Sequence, residues 1–152
     1  MAIKELHERL GINLVLLARL YRRALDSALK PYALSEATVL PIRYIARLGS
    51  NIRQGNLAEA LNLEGPTLVR VLDQLAELGY IDRIEDVQDR RVKTLRLTPA
   101  GEELNMQLNS LLANLRAELF EGASEDDVNA TLRVMSQLDV NLQRRRRLEL
   151  AS

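Results

Sequence analysis

The side chains in this chain that could do chemistry are basic, and they cluster. The run Asp89–Gly101 reads DRRVKTLRLTPAG and gathers Arg90, Arg91, Lys93 and Arg96. Arginine presents a fixed fork of donors that suits phosphate oxygens, and it gains further in a narrow, electronegative minor groove. Asp86 and Asp89 offset part of that charge, so the plainer alternative is a solubilising loop. A second set, Thr67, Arg70 and Gln74, recurs at steps of three and four among leucines and points away from a helix's apolar face. An arginine there can donate to a guanine edge, worth about 1–3 kcal/mol of discrimination per good bidentate pair. The alternative is an ordinary solvated helix face, and Gln74 is the weakest of the three.

Other chemistries find little support. There is no cysteine, which excludes disulfides, thiolate metal sites and thiol redox sensing. His7 is the one histidine, at an exposed helix start, and argues neither a metal ligand nor a general base. No phosphate-binding glycine loop and no nucleophile elbow is present. The expectation is therefore no enzyme, no cofactor and no metal. Arg144–Arg147 is a conspicuous charge run that could be a nucleic-acid arm. The duller account is preferred: arginines suit the C-terminal end of a helix dipole and can pair across a dimer.

Positioning these groups requires a scaffold, and the pattern predicts one that is mainly α with a small β-hairpin wing. Thr94-Leu95-Arg96-Leu97 alternates like a half-buried strand, with Tyr80–Ile84 as its partner and Glu85–Val92 as the hairpin tip. Thr98-Pro99 then opens a helix. Asn56-Leu57-Ala58-Glu59 looks like a capping-box start for a short helix, and Glu64-Gly65-Pro66-Thr67 turns the chain into a longer one running to Gly79. Two short helices followed by a hairpin make a winged helix-turn-helix. Ser35 can cap an earlier helix that reaches Leu48, with a bend or break expected at Pro41.

Long helices flank this lobe. Residues from about Ile3 to Lys30 carry an apolar stripe wider than one small core requires. Leu104, Leu108, Leu111, Leu115 and Leu119 form a seam after Pro99, and Val128, Leu132, Met135, Leu138 and Leu142 form another after Ser124. These predict a helical dimerisation region from residues 1–30 and 100–152, around a lobe of residues 31–99.

Bulk numbers set limits. The 152 residues are 47% apolar but only 3% aromatic, so leucine and alanine must pack the core. Twenty-one basic residues balance twenty-one acidic ones, so any nucleic-acid footprint must be local. The charged start and the absence of a long apolar run predict a cytoplasmic chain with no membrane span.

Asp89-x-Arg91, followed by Leu97-Thr98 and Gly101, resembles the wing signature of the MarR family of bacterial regulators. The string PTLVRVLDQLAELGYIDR and the earlier Leu29–Pro31 look closest to that family's SlyA branch. The resemblance implies a homodimer on palindromic double-stranded DNA. Thr67 and Arg70 would face the major groove, Arg91 with Arg90 would enter the minor groove, and Asp89 would steady the loop. It also implies a crevice for a small aromatic or anionic effector, for which Ser35, Val39 and Arg43 are the matching positions. The expected function is a dimeric transcription regulator, more often a repressor than an activator. The rival is a winged-helix module that binds protein instead of DNA, for which zero net charge is the best support.

Overall fold

The computed structural model describes residues 2–49, 51–86 and 92–150. Its helices are α1 (Ile3–Leu29), α2 (Glu36–Leu48), α3 (Gln54–Ala60), α4 (Gly65–Glu77), α5 (Pro99–Leu119) and α6 (Glu125–Leu150). Three short strands, β1 (Ile52–Arg53), β2 (Ile81–Glu85) and β3 (Lys93–Leu97), form one antiparallel sheet in the order β1-β3-β2. The mainly helical winged fold expected from the pattern is present. No helix among the described residues is long and apolar enough to cross a membrane.

The chain divides into two compact units, residues 1–115 and 116–152. In the first, one apolar core draws on every element. Leu25 and Leu29 come from α1, Ile42 and Ile45 from α2, Leu57 from α3, and Leu68, Leu72 and Leu75 from α4. Ile52 from β1, Ile81 from β2, Leu95 from β3, and Leu104, Leu108 and Leu112 from α5 join them. The remainder of α1 is different: Ile12, Val15, Leu16, Leu17 and Leu20 are 50–61% exposed.

Local chemistry explains the element boundaries. Pro31 closes α1 through a single 3₁₀ turn, Lys30–Tyr32, and Ala33 follows in the left-handed region. Ser35 occupies the N-cap of α2, where its N–H donates to Thr38 Oγ1 at 2.8 Å. Asp26 of α1 accepts the next orphan donor, Glu36 N–H, at 2.7 Å. The break expected at Pro41 does not occur, because α2 runs through it. The proline removes only the bond to the Ala37 carbonyl, and Ala37 is exposed, where water can satisfy it.

The start of α3 also differs from expectation. It lies at Gln54 with Arg53 as N-cap, so Asn56 sits inside the helix. The cause is β1, which pairs Ile52 with Leu95 and Arg53 with Thr94 and delivers the chain directly into α3. Between α3 and α4 the left-handed residue is Asn62, and Gly65 is already helical. Because β3 is a central strand, Thr94 is buried along with Leu95, and its hydroxyl donates to the Ile84 carbonyl. The simple alternation predicted for Thr94–Leu97 therefore holds only in part.

The junction from β3 into α5 is a tight knot. Thr98 N–H donates to the Tyr80 carbonyl at 3.1 Å, and its hydroxyl donates to the Gly79 carbonyl at 2.6 Å. The same hydroxyl accepts the Gly101 N–H at 3.1 Å, capping α5. A Cβ at position 101 would lie 2.1 Å from the Tyr80 carbonyl oxygen, so only glycine fits this approach. The Leu97-Thr98-x-x-Gly101 signature thus ties the foot of the sheet to the exit of α4.

The second unit consists of the end of α5 and α6. Ser124 caps α6, accepting Asp127 N–H at 3.2 Å, and Glu125, Asp126 and Asp127 fill its positive first turn. Val128, Leu132, Met135, Leu138 and Leu142 are 36–54% exposed along it.

Candidate nucleic-acid interface

Leucines decide which face of α4 is free. Leu68, Leu72 and Leu75 are fully buried, while Thr67, Arg70 and Gln74 are exposed. At about 100° per residue, the two sets point about 130° apart. The three predicted residues are therefore brought together on one solvent face of the longer helix of the helix-turn-helix. Asp73 lies on the exposed side as well, and its carboxylate pairs with Arg83 of β2 at 2.8 Å. Neither Asp73 nor Arg83 stands out in the sequence, because a cross-element ion pair leaves no periodic signal.

The hairpin stem is built from opposite charges set directly across the ladder. The register places Glu85 opposite Lys93 and Asp82 opposite Arg96. Lys93 Nζ donates to Glu85 at 3.1 Å, and Arg96 Nε and Nη2 donate to one Asp82 oxygen at 3.0 and 2.9 Å. Such pairs, exposed to solvent, add little stability, but they neutralise the stem. Lys93 is at the solvent-facing end of the ladder, yet it already has an anionic neighbour. The hairpin continues past the ladder, since Asp86 N–H donates to the Val92 carbonyl at 2.9 Å. Asp89, Arg90 and Arg91 lie outside the described residues.

The three residues matched to an effector crevice lie in line on α2. Ser35 is its half-buried N-cap, Val39 is 2% exposed within the core, and Arg43 reaches α5. Arg43 Nη1 donates to Asn105 Oδ1 at 3.0 Å and to Asn109 Oδ1. A separate half-open cleft of about 630 Å³ runs between the end of α2, the foot of the sheet and the start of α5. Its walls include Ala46, Asp82, Arg96, Leu97, Glu102, Asn105 and Met106, and Ser35, Val39 and Arg43 are not among them.

Among the described residues, no group of three or more His, Asp or Glu side chains is placed to hold a metal ion. In the Arg144–Arg147 run, Arg145 pairs with Glu149 one turn later at 2.8 Å, and this raises the arginine's pKa.

The MarR family profile matches residues 34–93, from the start of α2 to the first residue of β3. The transcriptional regulator PA3341 is 31% identical, with a TM-score of 0.80 over 89% of this chain and 98% of its own. A crystal structure of MarR is 27% identical, with a TM-score of 0.73 over 89% and 98% of the two chains. A mutant MarR from E. coli, complexed with operator DNA, shares the fold at 23% identity. Its TM-score is 0.79, over 86% of this chain and 93% of that one. This chain belongs to the MarR family of winged-helix transcription regulators.

Proposed function

We propose that the protein is a homodimeric, sequence-specific DNA-binding repressor of the family's SlyA-like branch. Residues 31–99 form its DNA-binding lobe, and residues 1–30 and 100–152 form its dimerisation region. The carrying observation is the division of α4 into a fully buried leucine face and an exposed Thr67–Arg70–Gln74 face. Two copies would present these faces to successive major grooves, roughly 34–36 Å apart, on a palindromic site. The exposed apolar residues of α1 and α6 favour a second copy, since patches of that kind on a lone protomer mark an interface.

In this reading Arg70 contacts a base edge and Thr67 and Gln74 flank it. Arg90 and Arg91 enter the minor groove, Asp89 steadies their loop, and Lys93 reaches a phosphate. A small aromatic or anionic effector would act at Ser35, Val39 and Arg43, drawing the Arg43 guanidinium away from Asn105 and Asn109 of α5 and shifting the lobes from the spacing that DNA needs. Its effect can be no larger than its differential affinity for the two spacings.

The test is selection from a random duplex library, with sedimentation at the same concentrations. A palindromic consensus bound by a dimer, with affinity falling steeply as salt rises, is the expected result. A monomer that selects no sequence would refute the proposal.

A further inference from the structure

Among the described residues, Arg83 carries the one buried side-chain polar atom without a hydrogen-bond partner. It leaves β2 and reaches α4, where Nη2 donates to the Val69 carbonyl at 3.1 Å and forms an ion pair with Asp73 Oδ1 at 2.8 Å. The side chain is only 25% exposed, and its Nε is buried without a hydrogen-bond partner. Burying a donor unpaired is unfavourable, so the conformation must be held by the contacts at the other end of the guanidinium. Those contacts fall at two particular places: Val69 immediately precedes Arg70, and Asp73 immediately precedes Gln74. The guanidinium therefore grips the middle of α4 beside the two largest side chains of its exposed polar face, while its own backbone belongs to the hairpin.

We propose that Arg83 is a positioning residue that locks α4 to the wing and so determines sequence discrimination without touching a base. The inference rests on the DNA-binding reading above. The lock acts in two ways. It keeps the helix and the hairpin at one relative setting, so that Arg70 and the hairpin tip meet the same duplex together. It also neutralises Asp73, whose bare carboxylate would repel phosphates next to Arg70. A lysine is a poorer replacement: both contacts come from one nitrogen, Nη2, which the planar guanidinium holds in place, whereas an ammonium turns freely on a flexible stem.

The experiment uses the full-length protein and the operator that the wild type selects. Affinity for that operator and for a scrambled duplex of equal length is measured across a salt series. The wild type is compared with Arg83→Lys and Asp73→Asn, with thermal melting and sedimentation alongside. The expected result for Arg83→Lys is a much smaller loss of affinity for the scrambled duplex than for the operator. Its operator preference should fall by as much as loss of a base contact, roughly 5- to 150-fold per recognition helix. Asp73→Asn, at a half-exposed side chain, loses preference in the same direction but by less. Unchanged preference in both variants overturns the proposal. So does a loss confined to Arg83→Lys that accompanies a collapse of its melting temperature while Asp73→Asn matches the wild type. If the wild type itself selects no operator, the DNA-binding reading falls and takes this inference with it, and the wild-type measurement identifies that cause.

Discussion

Gly101→Ala isolates the knot that joins the sheet to α5. The added methyl would start 2.1 Å from the Tyr80 carbonyl oxygen and 3.0 Å from its carbon, both backbone atoms that cannot swing aside. Relief requires the start of α5 to move by about an ångström or more, given ordinary non-bonded separations of roughly 3.5–4.0 Å between carbons. That movement strains the Thr98 bonds to Tyr80, Gly79 and Gly101 together. Overpacking of this kind costs about 1–3 kcal/mol, and loss of the threonine cap about 0.5–2 kcal/mol. Alanine's better helix propensity returns about 0.8–1 kcal/mol. The net expectation is a destabilisation of about 0.5–4 kcal/mol. At about 2–4 °C per kcal/mol for a chain of this size, that lowers the melting temperature by several degrees. The assay is urea and thermal unfolding at fixed protein concentration, because dimer stability depends on it. Gly55→Ala is the control: it lies in α3 with nothing within 4 Å of the added carbon, so it should be neutral or slightly stabilising. A Gly101→Ala protein as stable as the wild type would refute the account of the Leu97-Thr98-x-x-Gly101 signature.

Other substitutions probe the interface and the dimer. Arg70→Ala should reduce preference for the selected operator by about 1–3 kcal/mol per half-site and leave melting unchanged; an unchanged preference removes Arg70 from base readout. Glu85→Gln frees Lys93 from its cross-strand partner, so affinity should rise at low salt and the salt slope should steepen by up to about one unit; no change would mean that Lys93 makes no phosphate contact. Arg91→Ala should weaken binding mostly where flanking minor grooves are narrow, and an equal loss on every flank would make it a phosphate contact. Leu17→Glu combined with Leu20→Glu, at residues 61% and 58% exposed, should yield a monomer by sedimentation; a dimer of wild-type affinity would place the interface elsewhere.

Much of the fold was readable because its signals are local. Ser35 at the start of α2, Pro66 in the first turn of α4 and Ser124 before α6 each act on neighbouring backbone groups, so their meaning survives without the rest of the molecule. The exposed face of α4 was readable for a similar reason, since the spacing of Leu68, Leu72 and Leu75 leaves Thr67, Arg70 and Gln74 on the other side. Where reading failed, something distant had intervened. β1 is two residues long and exists only because β3 pairs with it, and that pairing moved the start of α3 away from Asn56. Pro41 is a local exception: α2 continues through it because the Ala37 carbonyl it deprives belongs to an exposed residue.

From residue order alone came the helical periods, the turns, the arginine-bearing hairpin and the polar face of α4, all of which depend on groups a few positions apart. Tertiary packing alone decided that Glu85 and Asp82 would stand opposite Lys93 and Arg96, that Arg83 would reach across to Val69 and Asp73, and that Gly101 would press against Tyr80. These contacts join residues far apart in the chain, and their geometry follows from strand register and helix approach. Both are collective outcomes of burying one apolar core, which no short window of sequence can express.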